Sequence, residues 1–217
     1  EPIINRLESD SVAEVQAAAA GALAHYLLMS SWGELRGVPT DLIINALMAA
    51  FNNPDSPLVL RRVALEALGS VNLPDVYKAI EESYESPHRG LQLSAFFAMG
   101  NSADPRWMPI ILDEMENPYE EMRQEAVRAA GNIGDSQAVS RLAELAYDDN
   151  EDVAQAAIEA LGEIGGDQAQ EILLEMSEDL ELENLEAVIL QALEDASWSA
   201  LDLQFGLMAD DFLEEEE

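Results

Sequence analysis

Few residues in this 217-residue chain could do chemistry on their own. There are two histidines, His25 and His88, far apart in sequence. Neither has a second His or a Cys at metal-ligand spacing, and cysteine is absent. Both are expected to be solvated or to sit at helix ends. Carboxylates are abundant, but pairs such as Glu81-Glu82 and Glu120-Glu121 suit a solvated helix as well as an acid–base dyad. The stretch DDNED (148–152) offers oxygen ligands without the glycine and closing glutamate of a calcium loop. It reads instead as a helix start, where acids suit the dipole. No G-x-S-x-G, phosphate-binding loop or G-x-G-x-x-G occurs. The sequence therefore predicts no enzyme site, no metal and no cofactor.

What does recur is charge at a fixed interval. Glu82, Asp113, Glu144 and Glu175 are each 31 residues apart. Three residues after each come Glu85, Glu116, Tyr147 and Glu178. On a helix, positions i and i+3 share a face, so the two series predict a carboxylate ridge. Its chemistry would be to receive Arg or Lys side chains. The whole chain favours the same partner class: 44 acidic residues stand against 10 basic ones, a net charge of −34, and Lys78 is the sole lysine. Such a field repels nucleic-acid phosphates and anionic lipid, and draws cationic proteins or peptides. Neighbouring carboxylates about 10 Å apart repel by only about 0.4 kcal/mol in water, so a solvated ridge is also tolerable. Toward helix C-termini, however, each carboxylate opposes the dipole by roughly 0.3–1 kcal/mol. A second candidate anchor is Trp32, beside Leu35 in a Ser- and Gly-containing stretch.

A ridge of this kind needs repeated elements to position it. Gly69, Gly100, Gly131 and Gly162 stand in register in ALEALGSV, AFFAMGNS, AVRAAGNI and AIEALGEI. They define units 55–85, 86–116, 117–147 and 148–178. Each reads as two helices. In the last, Val153, Ala156, Ala157, Ala160, Leu161 and Ile164 make one buried stripe, Gly162 is read as a turn residue, and Asp167 is expected to cap the second helix. The columns Val76, Trp107, Ala138, Ala169 and Ile80, Ile111, Leu142, Leu173 are the expected second-helix core. VQAAAAGALAH (15–25) belongs to a longer unit, 11–54, with extra residues within 25–41. Residues 179–210 read as a degenerate capping repeat and 211–217 as an acidic tail. EPIINRLESD (1–10) resembles the second helix MPIILDEMEN (108–117), so the chain is expected to begin mid-repeat. The whole is expected to form one array. AAAAGALAHYLLM (17–29) is too short to span a membrane.

The pattern carried by Met122, Arg123, Ala126, Val127, Ala130, Gly131, Ile133, Gly134 and Asp135, and again by Val153, Ala156, Ala157, Ala160, Leu161, Gly162, Ile164 and Gly165, resembles the short HEAT-like repeat, also found in phycobilisome lyase-type proteins. That resemblance implies an all-α, right-handed solenoid of stacked antiparallel helix pairs whose second helices line a concave face. Some enzymes that resemble this array carry His-Glu dyads for a di-iron site; here the matching place reads Arg123-Gln124-Glu125, and the histidine is missing. The reading is a non-enzymatic, cytoplasmic scaffold that binds a basic protein or peptide, with neither nucleic acid nor membrane insertion. The alternatives are a phycobilin-lyase-like or other enzyme-associated subunit, and a structural spacer in a larger protein.

Overall fold

A computed structural model describes residues 2–31 and 39–197. The described residues are all-α, with no strand among them. They form two compact units that divide between Asp104 and Pro105. The first holds α1 (Pro2–Ser9), α2 (Ala13–Ser31), α3 (Thr40–Asn52), α4 (Leu58–Leu68), α5 (Pro74–Tyr84) and α6 (Arg89–Asn101). In the second, 3₁₀ turns lead into α7 (Met108–Glu114) and α9 (Val139–Leu145). α8 (Glu120–Ile133), α10 (Glu151–Ile164) and α11 (Gly166–Ser177) follow the same plan, and a 3₁₀ turn, Leu180–Leu185, opens α12 (186–197). Trp32 and Leu35 lie outside the described residues.

Within each unit the hairpins stack in two layers. First helices pack on first helices, α2 on α4 and α4 on α6, then α8 on α10. Second helices cover them: α1 on α2, α3 on α4, α5 on α6, α7 on α8, and both α9 and α11 on α10. Both expected second-helix core columns are buried: Val76, Trp107, Ala138, Ala169 and Ile80, Ile111, Leu142, Leu173. The first-helix stripe of α10 is buried from Val153 to Leu161 wherever the helical period predicts it, with Ile164 half-buried.

The glycine register has a different cause from the turn read in the sequence. Gly162 lies inside α10, which runs on to Ile164. A Cβ there would meet the Ala192 Cα and carbonyl oxygen at 2.8 Å. At Gly69 it would meet the Ala98 Cα at 2.9 Å, and at Gly131 the Ala160 Cβ at 3.0 Å. These glycines are contact points between neighbouring first helices, where only a missing side chain lets two backbones approach. The turning is done three residues later. Ala103, Gly134 and Gly165 occupy one column, and all three have positive φ, at 48°, 73° and 64°. Ala103 stands in a conformation that suits glycine. Gly165 and Gly166 (φ 80°) reverse the chain so sharply that α11 starts at Gly166. Asp167 thus falls in the first turn of α11 rather than at its cap. Asp135 does cap, accepting from the Gln137 N–H.

A third column ties each hairpin to the one before it. Gln16, Arg61, Gln92 and Arg123 each donate a side-chain N–H to a backbone carbonyl at or just beyond the end of the preceding second helix. The acceptors are Leu7, Phe51, Tyr84 and Asn117, at 2.9–3.3 Å. Helix ends leave carbonyls without partners, and a donor, best a cation, satisfies them. Ala154 ends the series. Arg123 adds a forked pair with Asp148, Nε to Oδ2 and Nη2 to Oδ1, both at 2.8 Å. Both side chains are largely buried, 18% and 9% exposed. Burial alone would raise the Asp148 carboxyl, but the guanidinium and the Asn150 N–H hold it below the usual range. The same pair raises Arg123.

Candidate binding surface

The ridge residues follow from this frame. Glu82, Asp113, Glu144 and Glu175 each lie two positions after a fully buried core residue, Ile80, Ile111, Leu142 or Leu173. Two steps of about 100° turn them away from the core. All four are exposed, as are Glu85, Glu116, Tyr147 and Glu178.

In the first unit, Glu82 pairs with Lys78 one turn before it, at 3.4 Å. Both side chains are more than half exposed, so the pair contributes little. The acidic column does not reach α3, where Ala49 follows the core Leu47. There the surface changes character. A groove of about 450 Å³ between α1 and α3 is lined by Ile4, Leu42, Ala46 and Ala49, with Asn5, Asn45 and Glu8. The sequence reading missed this groove, although IIN occurs in both helices, at 3–5 and 43–45.

The second unit carries five ridge carboxylates: Asp113, Glu144 and Glu175 on its second helices, and Glu116 and Glu178 in the turns just after α7 and α11. Arg141 sits among them. Its guanidinium pairs with Glu116 and donates to Glu144 Oε2 at 2.5 Å. Two repeats of the ridge are therefore bridged internally, which charge counting along the sequence could not reveal. Among the described residues, Asp113 and Glu175 have no ion-pair partner.

Tyr147, the one aromatic in its column, lines a cleft of about 390 Å³ beside the ridge. The cleft lies between the 146–151 loop and the 181–185 turn. Its floor is Ala146, Ala154, Leu182 and Leu185, and its rim is Asp148, Asp149, Glu151, Glu181 and Asn184. The Tyr147 hydroxyl donates to Asp179 Oδ2 at 2.9 Å, and Asn184 donates to Glu151 Oε1 at 3.2 Å. Burial, the Asp179 hydrogen bond and the nearby carboxylates push the Tyr147 hydroxyl up to about 12. It stays protonated, and the ring offers a neutral aromatic wall beside Asp149 and Glu181. An aromatic face with carboxylates near it suits a guanidinium or ammonium.

Neither histidine joins this surface. His25 is exposed and meets Tyr26 edge-on at 6.3 Å. His88 is exposed at the start of α6, and its side chain makes no cap hydrogen bond there. Among the described residues no three His, Cys, Asp or Glu side chains are grouped to hold a metal. No described helix is long and apolar enough to cross a membrane.

Residues 108–194 match the family of HEAT repeats. The same hairpin plan, glycine contact and core columns run through the first unit, so the resemblance to HEAT-like repeats extends beyond the matched residues. No curated protein matches it. Among solved structures, a designed armadillo repeat protein is 15% identical, with 90% of this chain and 98% of that one aligned and a TM-score of 0.50. A second designed armadillo repeat protein, in complex with the peptide (KR)4, is 16% identical over 88% and 98%, also at 0.50. The complex of CpcE and CpcF of phycocyanin lyase from Nostoc sp. PCC7120 aligns at 14% identity over 89% and 93%, with a TM-score of 0.49. The first two likenesses establish the helical-repeat fold.

Proposed function

We propose that this protein is a non-enzymatic scaffold that binds a basic segment of another protein along the second helices of its 105–197 unit. The observation that supports this most is the imbalance on that surface: of five exposed ridge carboxylates, Glu116 and Glu144 are bridged by Arg141, while Asp113 and Glu175 have no ion-pair partner among the described residues. Asp113 and Glu175 accept the partner's cations, and Arg141 sets the spacing between them. The Tyr147 cleft takes one Arg or Lys side chain, with the ring as wall and Asp149 and Glu181 as acceptors. A designed protein of similar fold has been solved with an alternating Lys-Arg peptide, so stacked helix pairs can hold such a ligand.

The test is titration of the peptide (Lys-Arg)4 into the 217-residue chain, followed by fluorescence anisotropy. Binding that rests on charge weakens steeply with salt. The expected result is saturable binding that falls at least tenfold, about 1.4 kcal/mol, when Tyr147→Ala and Glu181→Gln are combined. Undiminished binding by that double variant removes the cleft from the reading. Binding indifferent to salt removes the ridge.

A further inference from the structure

We propose that the Tyr147 cleft is a clamp position left unfilled by Ala154, and that it takes an arginine of the partner in preference to a lysine. This rests on the reading of the second unit as a binder of basic segments, and names the side chain and its acceptors. The preceding repeat supplies the template. There Arg123 meets three acceptors with one planar group. Its Nε donates to Asp148 Oδ2 and its Nη2 to Asp148 Oδ1, both at 2.8 Å, and its Nη1 to the Asn117 carbonyl at 3.0 Å. Each acceptor recurs 31 residues later: Asp179 stands in the place of Asp148, and Asp148 in the place of Asn117. The two carboxylates are set alike, since Asp148 Oδ1 accepts the Asn150 N–H and Asp179 Oδ1 the Glu181 N–H, both at 2.9 Å. Only the donor differs, because the residue equivalent to Arg123 is Ala154. Ala154 and Asp148 both line the cleft.

The cleft follows from that exchange, since an alanine leaves open the room that an arginine fills one repeat earlier. Asp179 Oδ2, equivalent to the oxygen that takes Arg123 Nε, holds the Tyr147 hydroxyl instead, at 2.9 Å. A neutral hydroxyl is a weaker partner for a carboxylate than a guanidinium, so an entering arginine displaces it. The side chain passes the rim carboxylates Asp149 and Glu181, and its stem lies against Ala146 and Leu182. A guanidinium can fork onto Asp179 and still reach the Asp148 carbonyl. An ammonium is one strongly hydrated nitrogen and does not match that spread of acceptors. The unit's own cations are engaged elsewhere: Arg123 with Asp148, Arg128 with Glu125, and Arg141 with Glu116 and Glu144. Residues 142–217 contain neither Lys nor Arg. The cleft lies between the turns that open α10 and α12, inside one unit.

The probes are two fluorescein-labelled peptides of equal charge, (Lys-Arg)4 and (Lys)8, titrated into the 217-residue chain at one salt concentration. The parent is expected to bind (Lys-Arg)4 about tenfold more tightly than (Lys)8. Ala154→Arg supplies the guanidinium from within the chain, and Asp179→Asn removes the charge and one oxygen of the fork. In each variant the preference should fall below about twofold. Asp179→Asn keeps an amide oxygen for the Glu181 N–H, so circular dichroism should show parent helicity, and this variant decides if the larger substitution fails to fold. Equal affinity of the parent for the two peptides overturns the arginine seat and leaves the scaffold reading standing. So does a preference that survives Asp179→Asn. Saturable binding of neither peptide overturns both.

Discussion

The second helices of the two units differ in a way their first helices do not. In the first unit, α1 and α3 present a groove of Ile4, Leu42, Ala46 and Ala49 with the neutral amides of Asn5 and Asn45. In the second unit, α7, α9 and α11 present Asp113, Glu144 and Glu175. Beneath both surfaces the frame is the same. Gly69 meets Ala98 in one unit, and Gly131 and Gly162 meet Ala160 and Ala192 in the other. Side chains from the Gln16, Arg61, Gln92, Arg123 column clamp preceding carbonyls in both. Buried columns must satisfy the same packing in every hairpin, whereas exposed columns answer only to what they meet. The 31-residue repeat therefore reports stacking, and the proposed binding role rests on the change of surface across the chain.

The shared frame is broken most severely at its closest contacts. Gly162→Val and Gly69→Val push a branched side chain into the backbone of a neighbouring helix. Each is expected to destabilise by about 3 kcal/mol or more, read from urea melts. A loss in one unit alone shows that the frame is not equivalent in the two.

The clamp column sharpens the comparison, because Arg123 carries an ion pair that Gln92 lacks. Arg123→Met leaves Asp148 largely buried without its partner and is expected to cost about 3 kcal/mol. Gln92→Leu loses one neutral hydrogen bond and is expected to cost about 1 kcal/mol. The pH dependence differs as well. Asp148 has a folded value below its unfolded one, so its contribution is present above the unfolded value of 3.8 and fades as pH falls below it. The parent should lose more stability than Asp148→Asn between pH 5 and about pH 2.5. Parallel stability curves for the two would show that the pair contributes nothing.

Smaller effects follow at two further positions. Ala103→Gly relieves the positive φ and should raise stability by about 1 kcal/mol. Glu163 is an exposed residue overall, but its carboxylate rests where a Gly131 Cβ would be. Burial of that group, with Glu159 and Asp195 nearby, raises it above the ordinary glutamate value. A raised folded value means stability is lost as pH climbs through it. Glu163→Gln should therefore raise the melting temperature at pH 7 by about 1–2 °C. A lower melting temperature would reverse that assignment.

Much of the fold was legible in the sequence, and less of the surface was. The core columns from Val76 to Ala169 and from Ile80 to Leu173 follow from helical period and repeat length, because burial imposes both. The glycine register was visible but its cause was not. Gly162 and Gly165 lie three residues apart, and only coordinates distinguish a close helix contact from a turn. Asp167 missed its expected cap position because Gly165 and Gly166 together start the helix earlier. The exposure of Glu82, Asp113, Glu144 and Glu175 follows from the same period. The bridge made by Arg141 does not, since it joins Glu116 and Glu144 across 28 residues. The Tyr147 cleft depends on how the 181–185 turn folds back, which no local pattern encodes.

A chain of net charge −34 attracts any cation, so the central claim must separate a surface from a charge. Two triple variants do so at equal cost in charge. One is Asp113→Asn, Glu144→Gln, Glu175→Gln on the second helices; the other is Asp152→Asn, Glu159→Gln, Glu186→Gln on exposed first-helix positions. Both are expected to stay near parent stability, within about 1 kcal/mol. Anisotropy titration of (Lys-Arg)4 into each, at the same salt, is the decisive measurement. If the second helices are the binding surface, the first variant loses at least tenfold in affinity and the second less than twofold. Equal losses in the two would mean that net charge alone draws the peptide, and the account of a built binding surface would be wrong.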